Sequence, residues 1–542
     1  MTRPTRPIPH GLPALVALLA LALAALLLPS RARAASGEAL DLLSQDSITS
    51  SAQAIDLLAE DDSPASGALL AALLDGSLHL RKADRRLVVA RSQGEGYSLA
   101  DAVTGESLGQ AAKEELGKVP IRNSLRTRIR GLLTQRRLTS PDAAVRREAS
   151  AELLKGADDM DEAVLARRLE AESDATVREN LEAALALKRL AGQDPAAVLA
   201  SIAVLKGNLD PAVRTALANL QENAGDPRIA KAAGDALGSI AAKTNFYAVL
   251  EMAFFGVSLG SVLVLAAIGL AITFGVMGVI NMAHGELMML GAYTTYVIQQ
   301  AMPGHIGLSL PLAVPAAFLV SAAVGILIER GVIRMLYGRP LETLLATFGV
   351  SLILQQAVRT IFSPLNRSVV TPAWMSGSIQ VNPVFSITWN RLCIVFFCLL
   401  VFAALSVVLR RTRLGLEVRA VSQNRAMARV MGVRASLVDA LTFGLGSGIA
   451  GVAGVALSQL TNVGPNLGQS YIIDSFMVVV FGGVGNLWGT LVAGLSLGVV
   501  NKALEPLSGA VLAKIIVLIG IILFIQKRPT GLFPQKGRAV EG

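Results

Sequence analysis

Apolar and polar positions divide this chain into three stretches. The first is a continuous apolar run from Leu12 to Leu28, preceded by Arg3 and Arg6 and followed by Ala32-Arg33-Ala34. That order of basic, apolar and small-residue segments predicts a secretory signal peptide over residues 1–34, cleaved after Ala34, with an uncleaved signal anchor as the alternative. From Ser36 to Asn245 charged residues interrupt the apolar ones and the pattern is that of a soluble protein. From Phe246 onward apolar runs follow one another at about 250–274, 286–302, 310–328, 341–362, 391–409, 438–460, 471–485, 487–503 and 510–526. Most approach the ~20 residues that a spanning helix needs.

The middle stretch is weakly periodic. Val145-Arg146, Val177-Arg178 and Val213-Arg214 recur at intervals of 32 and 36 residues, each shortly after an Asp. Asp226-Pro227-Arg228 opens a fourth, shorter version. Asp or Pro suits a helix start, and Ala/Leu-rich helical patterns such as Asn180–Leu190 follow. Stacked helix pairs of the HEAT type have this period. Leu78-His79-Leu80 and Leu87-Val88-Val89 read instead as a small hairpin. The predicted fold class is therefore all-α: a polytopic helical membrane domain of about nine crossings over residues 246–535, preceded by an exported helical domain over residues 35–245. A cytoplasmic tail, residues 536–542, closes the chain.

Composition alters this picture only through charge. The net charge is +9, yet residues 35–245 carry 26 Lys+Arg against 31 Asp+Glu. The basic excess belongs to the leader and the membrane half, so nucleic-acid binding is not needed to explain it. Fourteen of the 19 basic residues of that half lie in three places: Arg330–Arg339, Arg410–Arg434 and Lys527–Arg538. The positive-inside rule makes all three cytoplasmic. An exported start and a cytoplasmic end require an odd number of crossings, which nine runs satisfy once the short seventh run is allowed to cross. The two cysteines, Cys393 and Cys398, lie five apart in one apolar run and form no disulfide or metal pattern.

Two motifs mislead when read alone. Gly446-Ser447-Gly448-Ile449-Ala450-Gly451 fits a dinucleotide fingerprint, but it lies in an apolar run and not after a strand. Close helix packing explains it. The same holds for Gly256-Val257-Ser258-Leu259-Gly260, which has the spacing of a nucleophile elbow. No G-x-x-x-x-G-K-[ST] occurs, so ATP hydrolysis by a P-loop is excluded for this chain. No catalytic constellation, metal-ligand cluster or cofactor motif is legible. Asn281, His284 and Glu286 do rise above packing, because polar groups at membrane depth are expensive and mark functional sites. So does the long Arg-rich loop Arg410–Arg434, in which Glu417–Met431 can form a helix.

Several of these residues together resemble a known family. Leu259-Gly260-Ser261, Ile280-Asn281-Met282-Ala283-His284-Gly285-Glu286 and Leu290-Gly291-Ala292-Tyr293 are similar to the opening helices of branched-chain amino acid ABC permeases. Leu414–Asn424 with Met431-Gly432-Val433, Phe481–Asn486 and Arg528–Phe533 continue the resemblance, which spans nearly all of 250–535. Tyr337–Thr347, Val370–Met375 and the long exported extension resemble the urea-transporting branch. The resemblance implies an importer without enzymatic activity of its own, most like a urea permease subunit in the inner membrane. Branched-chain amino acids or short amides are the alternative cargo. An exported solenoid receptor that is merely membrane-anchored is the alternative of another class. Implied partners are a second permease subunit, two cytoplasmic ATPase subunits and an extracytoplasmic substrate-binding protein. Implied roles are a substrate path at Asn281, His284 and Glu286, and an ATPase-coupling loop carrying Glu417, Arg419, Ala420, Asn424, Arg425 and Gly432.

Overall fold

A computed structural model describes residues 30–533 apart from 46, 62, 94 and 95. Most of the leader and the whole tail 536–542 lie outside the described residues. The chain divides into two compact units between Ala241 and Ala242.

The first unit begins with three helices, α1 (Ser30–Leu43), α2 (Ile48–Glu60) and α3 (Pro64–Leu74). They share a core of Leu43, Ile55, Leu58, Leu69 and Leu70 with Ile129 of α4 (Asn123–Leu138). Between α3 and α4 lies a five-stranded antiparallel sheet: β1 (Leu78–Arg81), β2 (Leu87–Gln93), β3 (Gly96–Asp101), β4 (Ser107–Ala111) and β5 (Leu116–Lys118), in the order β4-β3-β2-β1-β5. This corrects the all-α expectation, which allowed only a hairpin at β1–β2. Strands β3 to β5 are short and hold Gly, Ser, Gln and Lys, so their alternation is weak. Two turns carry the missed signal. Asp84-Arg85 (φ 53) and Asp101 to Gly105 (φ 71) each reverse the chain through a left-handed residue, and the Asp101 carboxylate accepts from the amides of Val103 and Thr104, both at 2.9 Å.

Helices α5 (Ala143–Leu153), α6 (Glu162–Ala171), α7 (Ala175–Arg189), α8 (Pro195–Leu205), α9 (Pro211–Asn223) and the start of α10 (Pro227–Met277) complete the unit. Asp142, Asp174, Asp194, Asp210 and Asp226 each accept a first-turn amide at 2.8–3.1 Å. These caps stop and restart the helices, since each satisfies an otherwise orphan N–H. Val145, Val177 and Val213 all occupy the third position of every second helix, α5, α7 and α9. Glu172 joins two of the helices. Its side chain is 1% exposed and takes Arg146 at 3.1 Å and Arg168 at 2.7 Å, with the amides of Ser173 and Asp174 at 3.0 Å.

The second unit contains the rest of α10, then α11 (His284–Ala301), α12 (Ile306–Gly331), α13 (Pro340–Phe362), α14 (Trp389–Arg411), α15 (Arg413–Gln423), α16 (Arg425–Val430), α17 (Ala435–Ser458), α18 (Leu467–Gly482) and α19 (Leu487–Lys527). A two-stranded hairpin, Ser378–Gln380 with Ser386–Thr388, lies between α13 and α14. Among the described helices, α10, α12, α13, α14, α17 and α19 are long and apolar enough to cross a membrane. That makes six, against nine apolar runs, and the difference has three sources. Helix α11 has 18 residues and bears His284 and Glu286 in its first turn. Helix α18 has 16 residues, about 24 Å at 1.5 Å each, short of the ~30 Å hydrocarbon layer. The last two runs form one 41-residue helix, α19, interrupted at Gly509 (φ 78, ψ 162) three residues after Pro506.

Helix α17 lies at the centre. Of its apolar window 89% is buried, and of α10's 83%, against 17–28% for α12, α13, α14 and α19. Its glycines account for this. A Cβ on Gly446 would stand 2.6 Å from the Gly269 carbonyl of α10, and one on Gly448 would stand 2.6 Å from the Phe318 ring of α12. One on Gly451 would meet the Ala317 carbonyl at 2.5 Å, and one on Gly454 would overlap the Met288 carbonyl of α11. The G-x-G-x-x-G pattern is thus a packing surface on which three helices converge.

Two outcomes follow. Glu172→Ala, which strands two partly buried guanidinium groups, should destabilise the first unit by roughly 3 kcal/mol; amide exchange over residues 142–190 reads it. Burial alone would raise the Glu172 pKa, but the Asp174 amide and the Arg146 and Arg168 guanidinium groups outweigh it, and the pKa is lowered. The carboxylate's contribution is therefore full above the unfolded value of about 4.3 and is lost as pH falls through the folded value. In the second unit, Gly454→Ala should cost at least about 1–3 kcal/mol through overpacking, seen as a lower melting temperature of the purified protein.

Candidate functional site

The connector between α10 and α11 is where the structure breaks its regular packing. Helix α10 ends at Met277, and Gly278 (φ 69) turns the chain away. Asn281 closes a turn just ahead of α11, its Oδ1 accepting from the amide of Ala283, the residue before the helix, at 3.0 Å. The Met282 amide donates to Thr347 Oγ1 of α13 at 3.1 Å, which ties the connector to that helix. Asn281, His284 and Glu286 are all buried, at 0%, 0% and 1% exposure.

The three residues nevertheless point to different neighbours. His284 Nε2 lies 2.9 Å from the Ala266 carbonyl of α10. A carbonyl only accepts, so Nε2 carries the proton. The ring therefore pins α11 to α10, and a Cβ on Gly269 would stand 2.9 Å from its Cε1. Glu286 faces α13. Its Oε1 accepts from Ser351 Oγ at 3.0 Å and from Gln355 Nε2 at 2.7 Å. Among the described residues its Oε2 is buried without a hydrogen-bond partner, as are Asn281 Nδ2, His284 Nδ1 and the Tyr293 hydroxyl.

Helix α13 supplies the other half of this site. Thr343, Thr347, Ser351 and Gln355 are all buried and spaced by four, so they share one face of the helix. Arg359 continues the row and donates to Asn466 Oδ1 at 2.8 Å. Tyr293 packs against Phe362, at the end of the same helix, with ring centroids 4.7 Å apart and planes tilted by 33°. Sequence reading missed this row because each member is unremarkable inside an apolar run. The period of four between 343 and 359 was the available signal. The arrangement is a polar belt between α11 and α13, with one carboxylate oxygen already satisfied and the other free to accept.

Two of the other membrane acids are ion-paired. Asp474 of α18 pairs with Lys514 of α19 at 3.0 Å, and Asp439 of α17 pairs with Arg425 of α16. Glu329 of α12 is buried with Oε2 unpartnered. Asp439 and Glu329 were also overlooked in the sequence, where both sit at the edges of apolar runs.

The Arg-rich loop folds as α15 and α16. Val418, Val421 and Ala428 bury against Ala435 and Val438, with Ala420 packed beside them. Asn424 Oδ1 caps α16 through the Met427 amide at 2.9 Å, and Gly432 (φ 87) turns the chain into α17. Arg419 donates to the Leu409 carbonyl at the end of α14. Arg425 bonds Asp439 and Tyr337 and lies 4.0 Å over the Tyr337 ring. Glu417 is half-buried on α15. Leu416, Met427, Val430 and Met431 are left exposed, at 58–80%.

Comparison with known proteins accounts for the second unit. Residues 252–526 match the family described as branched-chain amino acid transport system / permease component. The chain belongs to that family. The high-affinity branched-chain amino acid transport system permease protein LivH of Salmonella typhimurium is 34% identical over 304 residues, 53% of this chain and 96% of the relative. BraD of Pseudomonas aeruginosa, a permease protein of the same description, is 32% identical with the same coverage. The ribose import permease protein RbsC of Escherichia coli is 26% identical over 273 residues, 48% of this chain and 80% of the relative. No solved structure matches.

If Glu286 depends on its α13 donors, Gln355→Leu should cost about 1–3 kcal/mol by leaving a buried acceptor short of a partner. Adding Glu286→Leu should recover most of that. A melting-temperature double-mutant cycle measures the coupling, and additive losses would separate the two residues.

Proposed function

We propose that this chain is a membrane permease subunit of an ATP-driven importer for a small polar solute. The observation that carries the reading is the buried belt between α11 and α13. A carboxylate with one free oxygen, at membrane depth and among neutral donors, suits a solute that brings its own N–H groups. The permease relatives support the transport role. In this reading Glu286, with Ser351 and Gln355, lines or gates the path, while Asn281 and His284 set the position of α11.

The machinery follows from the same reading. The second unit crosses the inner membrane nine times, α19 counting as two segments around Gly509, and its three Arg-rich places face the cytoplasm. The segment from Glu417 to Gly432 couples to ATPase subunits through the exposed Leu416, Met427, Val430 and Met431. Arg425 carries the motion to α17 through Asp439. A second permease subunit and a binding protein complete the importer. The first unit, a helix-pair solenoid with an inserted sheet, stands outside the cytoplasm behind a cleaved leader and docks the binding protein.

Two cargoes compete on specific grounds. Urea is favoured by Tyr337–Thr347 and Val370–Met375 and by a belt that holds a single carboxylate. A branched-chain amino acid is favoured by the named relatives, and Arg359 beyond Gln355 offers the opposite charge that an amino acid's carboxylate would need. Uptake of labelled urea and labelled leucine in cells with and without the gene, urease inactivated, distinguishes them. The urea reading expects ATP-dependent urea entry that leucine does not compete; loss of leucine entry alone assigns the amino acid. Glu286→Gln should lower either rate about tenfold, the value of one charge-assisted hydrogen bond, and an unchanged rate would remove Glu286 from the path.

A further inference from the structure

A cavity of about 390 Å³ opens where α14 ends and α15 begins. That is within the ~300–1,000 Å³ of small-ligand pockets. Its polar wall holds Ser406, Arg410, Arg419, Ser422, Asn486 and Trp488. Two arginines and no carboxylate line it, so its charge is unbalanced from within. Arg419 is held in place by the Leu409 carbonyl. Arg410 has no hydrogen-bond or ion-pair partner among the described residues. The N-terminus of α19 begins at the same wall, with Asn486 as its cap, and adds the positive end of a helix dipole.

The rest of the wall is apolar, with Ile272 and Val276 of α10 and Val418 of α15. Helix α14, whose end lines the cavity, also carries exposed apolar side chains. Val407 is 58% exposed, Phe396, Leu399 and Leu400 two to three turns earlier on α14 are exposed too, and Trp488 is 51% exposed. An exposed tryptophan level with arginines at a helix end marks a membrane–water interface. A ligand here therefore needs an anionic head for the arginines and a tail that continues along the apolar face of α14. Basic pockets between membrane helices hold phospholipid headgroups in this manner.

We propose that this cavity binds the phosphate-bearing headgroup of an anionic phospholipid, with Arg410 as its free ligand and Arg419 as its fixed one. The site is separate from the Glu286 belt and does not depend on which solute is carried. Its shared chemistry with free phosphate calls for separate arms in the test. The purified full chain in detergent is titrated with phosphatidylglycerol, with phosphatidylcholine and with inorganic phosphate, following bound lipid by native mass spectrometry and melting temperature. Phosphatidylglycerol should bind and stabilise, whereas phosphatidylcholine and phosphate should not. Arg410→Gln should weaken that binding about tenfold, as expected for one charge-assisted hydrogen bond. Ser406→Trp, which fills the cavity and leaves the charge, should do the same. Arg411→Gln, one residue away and outside the cavity, should bind as the parent does. Equal loss in Arg411→Gln would reduce the effect to diffuse surface charge and overturn the site. Equal binding of phosphatidylcholine, or a full shift with phosphate alone, would overturn the assignment to an anionic lipid.

Discussion

Backbone-to-backbone contact at α17 is the constraint on which the membrane unit depends. Between helices in a bilayer there is no hydrophobic drive to association, so close packing must supply the attraction. Gly446, Gly448, Gly451 and Gly454 let α10, α11 and α12 approach until their carbonyls and side chains occupy the space of the missing Cβ atoms. That approach fixes α11 and, through the connector, the polar groups at its start. Glycines at Gly256 and Gly260 perform the same service between α10 and α19, where a Cβ would meet Val499 and Leu495 backbone at 2.6 and 2.7 Å.

With the backbone so closely set, the buried charges fall into two kinds. Asp439 and Asp474 have cationic partners in Arg425 and Lys514, which compensates their desolvation in the ordinary way. Glu286 has neutral donors on one oxygen and none on the other. A structural acid gains nothing from an empty lone pair in a dry core. This asymmetry separates Glu286 from the ion-paired Asp439 and Asp474, while Glu329 of α12 likewise keeps a buried Oε2 without a partner among the described residues. In the first unit Glu172 shows the opposite design: two guanidinium groups and two amides saturate it, and it knits helices together.

The loop α15–α16 adds a third element to this logic. It is anchored inward by Val418, Val421 and Ala428 and by the Arg425–Asp439 pair, yet it leaves long apolar side chains outward. Its buried face rests on α17, the helix against which the Glu286-bearing segment is also packed. Helix α17 is thus in contact both with the α15–α16 segment and with α11, which carries Glu286.

Much of this was legible in the chain itself. Apolar runs located the membrane helices because hydropathy is a local property, and each of the nine runs falls on helix. Asp–Pro and Asp–Ala steps located the starts of α5, α7, α9 and α10 because capping needs only neighbours two or three residues away. Asn281, His284 and Glu286 were conspicuous because polar residues at membrane depth are rare. What tertiary structure alone decided was direction. Only packing determined that His284 turns to α10 and Glu286 to α13, that Ser351 and Gln355 belong with Glu286 across 65 residues of chain or more, and that three weak strands join a five-stranded sheet. The reason is common to all of these. A side chain's partners across space depend on which helix faces come together, and strand pairing satisfies backbone groups that no single segment can satisfy by itself.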